Sequence, residues 1–136
     1  RQTEGRITHF VAGLGTSGTM MGVGRYLRGL SPSIRLVGVQ PDSAAHGIQG
    51  LKYLDGADVP AIYDPARVDL IENVSTHEAT AMARELARRE GLFVGISAGA
   101  AVVAARRVAQ MLETGHIVAL LPDGGFKYAS APFWSE

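Results

Sequence analysis

The fold follows from residues 8–27, which read THFVAGLGTSGTMMGVGRYL. An apolar run with β-branched and aromatic members leads into a cluster of small residues, and an amphipathic segment follows at once. This order is typical of a β-strand, a tight loop and an α-helix. Glycines let such a loop approach a ligand closely, and the first N–H groups of the helix have no partner within it. Because the helix dipole is positive at the same end, the stretch predicts a phosphate site.

The candidate phosphate ligands are the five residues of the loop itself. Gly15 and Gly18 supply backbone freedom, while Thr16, Ser17 and Thr19 add hydroxyl groups. No charged side chain lies in the loop, so the backbone N–H groups and the hydroxyls would hold the phosphate.

Two other interpretations of this loop stay open on its sequence alone. Residues 13–18 also fit the fingerprint G-x-G-x-x-G of dinucleotide-binding domains. That interpretation requires an acidic residue at the tip of the next strand to bind ribose hydroxyls, whereas the tip here is Gln40 followed by Pro41. In the third interpretation the glycines serve only tight turning and close packing.

Composition is that of an ordinary globular domain. The chain has 136 residues, of which 46% are hydrophobic, and its 13 basic residues balance its 13 acidic ones. The lack of a basic excess argues against a nucleic-acid partner. The absence of cysteine excludes a disulfide framework and a thiolate nucleophile, and the four histidines show no metal-binding spacing. No apolar run is long enough to span a bilayer, so we expect a cytoplasmic enzyme without a metal or membrane partner.

Hydrophobic patterning predicts the remaining elements. Further strands are expected at 35–40, 68–74 and 116–121, helices at 76–90 and from 97 onward, and a long loop at 42–67. A capping box at 75–78 starts the second helix, and Gly91 ends it. The last strand is almost wholly apolar, as expected of a strand covered on both faces. The predicted fold is α/β and three-layered, with a mostly parallel sheet and helices on both faces, and loops at the carboxyl ends of the strands share one rim.

Three motifs in this order resemble the cysteine synthase (O-acetylserine sulfhydrylase) branch of the fold-type II pyridoxal-phosphate enzymes. They are GTSGT with GVGRYL at 15–27, GISAGAA at 95–101 and LPDGG at 121–125. The resemblance covers essentially the whole chain and implies a tryptophan synthase β-like fold that binds pyridoxal 5'-phosphate. It implies that residues 15–19 wrap the cofactor phosphate and that Ser97 hydrogen-bonds the pyridine nitrogen. It also assigns Gly50 to the family's substrate-facing loop.

The same resemblance implies the reaction. A serine hydroxyl is a weak partner for the ring nitrogen and suits a β-replacement by a transferase of cysteine biosynthesis. O-Acetylserine would give an aminoacrylate, and sulfide would add to it to form L-cysteine, in a cytoplasmic homodimer. The alternatives kept are an NAD-binding dehydrogenase-type domain and a non-catalytic relative that binds a phosphate ligand.

No catalytic residue is assigned within the chain. The family's Schiff-base lysine lies in its amino-terminal half, so it is expected before Arg1, and the only lysines here, Lys52 and Lys127, fall in no matching motif. Residues 1–136 are therefore expected to be the larger, cofactor-binding domain, a fragment that is inactive alone. Two residues keep a second interpretation: Ser97 also fits a helix N-cap, and Asp123 fits either an active-site residue or a turn-stabilising one.

Overall fold

The sheet has four strands, all parallel. The computed structural model describes residues 2–56 and 59–135. Its strands are β1 (His9–Gly13), β2 (Arg35–Pro41), β3 (Leu70–Val74) and β4 (Ile117–Ala119), in the spatial order β3-β2-β1-β4. Val11 lies in register with Val37 on one side and with Ala119 on the other. The predicted parallel sheet is therefore confirmed.

Three helices connect the strands. They are α1 (Gly18–Leu30), α2 (Thr76–Glu85), which continues as a π-helical turn (Leu86–Glu90), and α3 (Ile96–Gln110). Short 3-10 turns lie at Pro65–Arg67, Gly125–Tyr128 and Pro132–Ser135. α2 with its π-helical turn begins and ends at the predicted residues 76 and 90, and α3 begins at Ile96, one residue before its predicted start.

Two apolar clusters lie on opposite faces of the sheet. On one face Val11, Val37 and Val39 pack with residues of α2 and α3. On the other face Phe10 and Leu36 pack with residues of α1. Successive side chains of a strand point to opposite faces, so neighbouring residues enter different clusters. The architecture is the predicted three-layer α/β arrangement.

The second helix begins at the predicted capping box. The Ser75 hydroxyl accepts the Glu78 N–H, and the Glu78 carboxylate accepts the Ser75 N–H in return. Gly91 ends the helical segment in the left-handed conformation, at φ +68°. Helical periodicity predicts Arg84 on the outer face of α2, but the residue is half-buried, and its guanidinium donates to the Phe133 carbonyl at 2.7 Å. The carboxyl-terminal turns fold back over α2, which sequence periodicity does not reveal.

The predicted buried face of α3 is too narrow. The spacing of Ala101, Ala105, Val108 and Leu112 predicts a narrow buried stripe, yet every residue from 96 to 101 is also buried. The cause is that α3 packs against both the sheet and α2. A Cβ atom at Gly99 would overlap the Ala79 carbonyl oxygen, so the two helices touch at their backbones.

The last strand is shorter and more exposed than predicted. Only Ile117–Ala119 pair with β1, and all three residues are half-buried. Within the described residues β4 lies at an edge of the sheet. Ile117 and Ala119 pack against one apolar cluster and Val118 against the other, so both faces of β4 are covered in part.

Candidate functional site

A cleft opens at the carboxyl edge of the sheet, where the rule for open α/β sheets predicts a ligand site. Its volume is about 270 Å³. The loops after β1 and β4 form its walls together with residues 49–51 of the loop after β2 and the start of α3. All the predicted site residues line it, namely Gly15, Thr16, Ser17, Gly18, Thr19, Gly50 and Ser97. Their individual roles stay predictions.

Ser17 is held in an unfavourable state. It is the N-cap of α1, with φ +67° and ψ +4°, a left-handed conformation that costs a non-glycine residue about 1–2 kcal/mol. The residue is 3% exposed, and its buried hydroxyl has no hydrogen-bond partner among the described residues. A ligand that forms a hydrogen bond with this hydroxyl would remove the cost of leaving it buried and unpaired. Strained residues of this kind cluster at ligand sites.

The two loop glycines are required for different reasons. A Cβ atom at Gly15 would overlap the Gly50 carbonyl oxygen, and Gly50 itself has φ +88°. At Gly18 a Cβ atom would meet only Thr16 Oγ1 at 3.6 Å and Ile62 Cδ1 at 4.0 Å, which are ordinary contacts. Packing within the protein therefore explains why position 15 is glycine but not why position 18 is. A ligand that approaches the backbone at Gly18 would explain the glycine at that position.

The helix end that faces this loop is electrostatically suited to an anion. α1 has no acidic residue in its first turn, and its initial N–H groups point out of the helix. The dipole places partial positive charge at this end. A phosphate group fits here without a charged side chain in the loop.

Ser97 lies on the wall of the same cleft, and it is not the N-cap of its helix. The N-cap of α3 is Gly95, so the N-cap interpretation of Ser97 is wrong. Ser97 lies in the first turn, is 6% exposed, and lines the cleft. Its hydroxyl makes no side-chain hydrogen bond to any residue that the structure describes, so the hydroxyl is available to a ligand.

Three residues after β4 complete the cleft wall. The Tyr128 hydroxyl donates to Asp123 Oδ2 at 2.6 Å, and this bond raises the pKa of Tyr128 to about 12. The Lys127 ammonium lies 3.8 Å from the same oxygen. Asp123 Oδ1 is buried without a partner among the described residues.

Lys127 and Tyr128 could not be assigned to the site from the sequence, because they follow the motif at 121–125 by two and three residues. Asp123 lines the cleft and also holds the turn through Tyr128, so both interpretations of this residue stay open.

Gln40, at the tip of β2, occupies the region where a dinucleotide-binding domain needs a ribose-binding residue. It is 3% exposed, and its amide donates to Asp55 Oδ2 at 3.1 Å and to Asn73 Oδ1 at 2.9 Å. Its carbonyl oxygen accepts the Leu54 N–H at 3.0 Å. The side chain is fully used in fixing the loop after β2, so it offers no group to a ribose. The dehydrogenase interpretation therefore lacks its essential contact.

The described residues provide neither a metal site nor a membrane span. In 2–56 and 59–135, no three His, Cys, Asp or Glu side chains come together as metal ligands. None of the helices in those ranges has the length and apolar character needed to cross a bilayer.

Comparison with known proteins identifies the family. The sequence profile of the family of pyridoxal-phosphate dependent enzymes matches residues 1–123 of this chain. This chain belongs to that family. The expected resemblance to fold-type II enzymes is confirmed, and pyridoxal phosphate is the family's cofactor.

The relatives include cysteine synthases. The cysteine synthase of Aquifex aeolicus is 48% identical over 139 residues, which are 99% of this chain and 42% of that protein. The structure of O-acetyl serine sulfhydrylase isoform 3 from Entamoeba histolytica superposes with a TM-score of 0.91 at 34% identity, over 99% of this chain and 43% of that one. An O-acetylserine dependent cystathionine beta-synthase from Helicobacter pylori gives 0.88 at 35% identity, over 98% and 45%. The chain thus spans less than half the length of these relatives.

The residues of the cleft fit this cofactor. One wall offers the unpaired Ser17 hydroxyl and the free N–H groups of α1 to a phosphate. The start of α3 offers the Ser97 hydroxyl to the same cleft, and this group suits a hydrogen bond to an aromatic nitrogen. A molecule that carries both a phosphate and a pyridine nitrogen matches these two sets of groups.

Proposed function

We propose that this chain is the cofactor-binding part of an enzyme that forms L-cysteine by β-replacement, from O-acetylserine and sulfide. The observation that carries the proposal is the strained Ser17, whose buried and unpaired hydroxyl lies in a phosphate-type loop of the cleft. The names of the relatives support the same reaction, since they include a cysteine synthase and an O-acetyl serine sulfhydrylase.

The loop of residues 15–19 would hold the cofactor phosphate. Backbone N–H groups at the start of α1 would donate to its oxygens, and the hydroxyls of Thr16, Ser17 and Thr19 would add further bonds. Because the site uses a helix end and neutral donors, the phosphate keeps its full negative charge. The phosphate would therefore act as an anchor and stay outside the reaction.

Ser97 would hold the ring nitrogen. Bound pyridoxal phosphate supplies an electron sink for negative charge at the substrate α-carbon. A neutral hydroxyl stabilises a protonated pyridine far less than a carboxylate in direct contact would. Ser97 would therefore keep the sink modest, which suits a reaction in which the β-substituent leaves as the charge develops.

The loop that contains Gly50 would face the substrate. Residues 49–51 line the cleft next to the phosphate loop, and the Gly50 carbonyl packs against Gly15. This contact fixes the distance between the two loops. A substrate bound beside the cofactor would lie against residues 49–51, so this short segment would orient it.

The remaining proposals concern the whole protein. Residues 1–136 would form the larger, cofactor-binding domain of a cytoplasmic homodimer. The Schiff-base role is assigned to neither lysine of this chain. Lys52 is exposed and lies outside the cleft lining, and the Lys127 ammonium lies near Asp123 on the cleft wall.

The test uses the protein that carries this chain. Purified protein should bind pyridoxal phosphate, become covalently labelled on borohydride reduction, and form cysteine from O-acetylserine and sulfide. Ser97→Ala should keep most cofactor affinity while it changes the absorption spectrum and lowers turnover. Ser43→Ala, at an exposed serine outside the cleft, is the matched control and should change neither property.

Several outcomes would contradict the proposal. Binding of NAD(H) without pyridoxal phosphate would restore the dehydrogenase interpretation, and cofactor binding without turnover would indicate a non-catalytic relative. A labelled peptide that contains Lys52 or Lys127 would show that the assignment of the Schiff base is wrong. A Ser97→Ala protein with an unchanged spectrum and turnover would leave Ser97 without a role at the ring.

A further inference from the structure

We propose that the Asp123 carboxylate makes the electrostatic potential at the Ser97 end of the cleft more negative, so that the cofactor binds with its ring nitrogen at this end and its phosphate at the α1 end. The inference rests on the proposed function. It assigns an electrostatic positioning role to a residue that lies outside the phosphate loop and beyond the serine contact.

The Asp123 carboxylate is fixed on one side by its own segment. Oδ2 accepts the Tyr128 hydroxyl at 2.6 Å, and the Lys127 ammonium lies 3.8 Å from it. The side chain is only 13% exposed. Held in this way, the carboxylate cannot swing out to solvent without breaking a short hydrogen bond.

The backbone of Asp123 is joined to the segment that carries Ser97. The Gly95 N–H donates to the Asp123 carbonyl at 3.2 Å, and the Gly125 N–H donates to the Phe93 carbonyl at 2.9 Å. An antiparallel bridge between Val94 and Gly124 lies between these bonds. The start of α3 and the turn after β4 therefore form one paired unit.

The side chain also touches that segment directly. Oδ1 occupies the space that a Cβ atom on Gly95 would need, which explains glycine at this N-cap. The same oxygen is buried and has no partner among the described residues. A carboxylate oxygen thus lies against Gly95, the N-cap of α3, and the Ser97 hydroxyl follows two positions further along the chain.

The two helix ends at the cleft therefore differ in charge. The α1 end carries no acidic residue in its first turn, so its positive potential is available to a phosphate. The α3 end is offset by the Asp123 carboxylate, which disfavours a second anion there and favours a positive charge. Ser97 supplies the hydrogen bond at this end, and Asp123 supplies the field.

The expected size follows from ordinary charge effects. A carboxylate that contacts a titrating group shifts its pKa by about 1–3 units. Asp123 would act at longer range, and Lys127 opposes it, so we expect about one unit. Asp123, Lys127 and Tyr128 are the titratable residues that line the cleft within the described chain.

The experiment uses pyridoxine 5'-phosphate, which lacks the aldehyde and cannot bond covalently to a lysine. Its ultraviolet absorption reports ring protonation, and the titration is run on the bound ligand in the protein that carries this chain. Asp123→Asn keeps the shape of the side chain and should lower the midpoint by about one unit. Glu113→Gln removes one negative charge at an exposed residue outside the cleft and should leave the midpoint unchanged.

A second variant covers the case in which Asp123→Asn fails to fold. Lys127→Met removes the opposing cation from an exposed side chain, so it should raise the midpoint. Equal midpoints in the parent protein and in the folded variants would overturn the role of Asp123 while leaving the phosphate site intact. Failure of the parent protein to bind pyridoxine 5'-phosphate at all would overturn the proposed function as well.

Discussion

Replacement of Ser17 by glycine should make the ligand-free protein more stable and its cofactor binding weaker. The parent residue holds φ +67°, and its buried hydroxyl is unpaired. Both features disfavour the folded state without a ligand. If the hydroxyl hydrogen-bonds a phosphate oxygen, both features lower the stability of the ligand-free protein but support binding. Ser17→Gly should then raise the free energy of unfolding and lower the cofactor affinity.

The magnitudes come from three contributions. Relief of the left-handed strain should stabilise the fold by about 1–2 kcal/mol, and removal of an unpaired buried hydroxyl by about 1–3 kcal/mol. The greater freedom of glycine in the unfolded chain takes back about 0.5–1 kcal/mol. The net gain in the free energy of unfolding is about 3 kcal/mol, within a range of about 1–4.5 kcal/mol. A lost hydrogen bond to a charged phosphate weakens binding by about 1.5–3 kcal/mol, or roughly 10- to 150-fold.

The assay compares three proteins by urea unfolding without ligand and by titration with pyridoxal phosphate. Ser17→Ala is the matched control, because it removes the hydroxyl but keeps the Cβ atom and therefore the backbone strain. Its stability should lie between those of the parent protein and Ser17→Gly. Its cofactor affinity should fall about as far as that of the glycine variant.

Two results would refute this reasoning. Cofactor affinity that is unchanged in both variants would show that the Ser17 hydroxyl does not contact the ligand. A Ser17→Gly protein that is less stable than the parent would show that the left-handed conformation and the buried hydroxyl are not a source of strain.

Two other predictions follow from the same contacts. Gly18→Val should change the ligand-free stability by less than about 1 kcal/mol, since only ordinary contacts surround that position, but it should block approach of the phosphate and lower cofactor affinity. Gly15→Ala should destabilise the loop even without ligand, because its Cβ atom would overlap the Gly50 carbonyl oxygen. Urea unfolding with and without pyridoxal phosphate separates the two variants, and equal behaviour would contradict the distinction. The Ser75 N–H and hydroxyl, with Arg107, hold the pKa of Glu78 below its ordinary value, so the carboxylate stabilises the fold above about pH 4.5 and loses this contribution as the pH falls through the lowered value. Glu78→Gln keeps an acceptor for the Ser75 N–H but removes the charge and the ion pair with Arg107, so it should cost up to about 1 kcal/mol near neutral pH and flatten the acid dependence of unfolding. An unchanged slope would contradict the assignment.

Elements with local signals could be predicted from the sequence. The strand, loop and helix of residues 8–27, the capping box at Ser75 and the helix stop at Gly91 all depend on neighbours within a few residues. The carboxyl-edge rule then placed the phosphate loop on one rim with the loops after the other strands, and the family resemblance added Ser97. These predictions needed no knowledge of distant contacts.

The errors concern contacts between residues far apart in the chain. Residues at the start of α3 are buried on all sides because both the sheet and α2 pack on them, which a single helical period does not show. β4 is short and half-buried because no described strand lies beyond it. The strain at Ser17 was also hidden, because serine is not a residue whose presence indicates positive φ.

The anchoring of the loop after β2 divides it into two parts with different tolerance to change. Its inner part carries the buried Ile48, Leu51 and Leu54, and the Gln40 amide fixes it further. Its outer part carries Val59 and Ile62, which are 48% and 59% exposed. Substitutions in the outer part cost little folding free energy, whereas those in the inner part disturb the cleft. The outer part can therefore change in sequence while the residues that line the cleft stay in place.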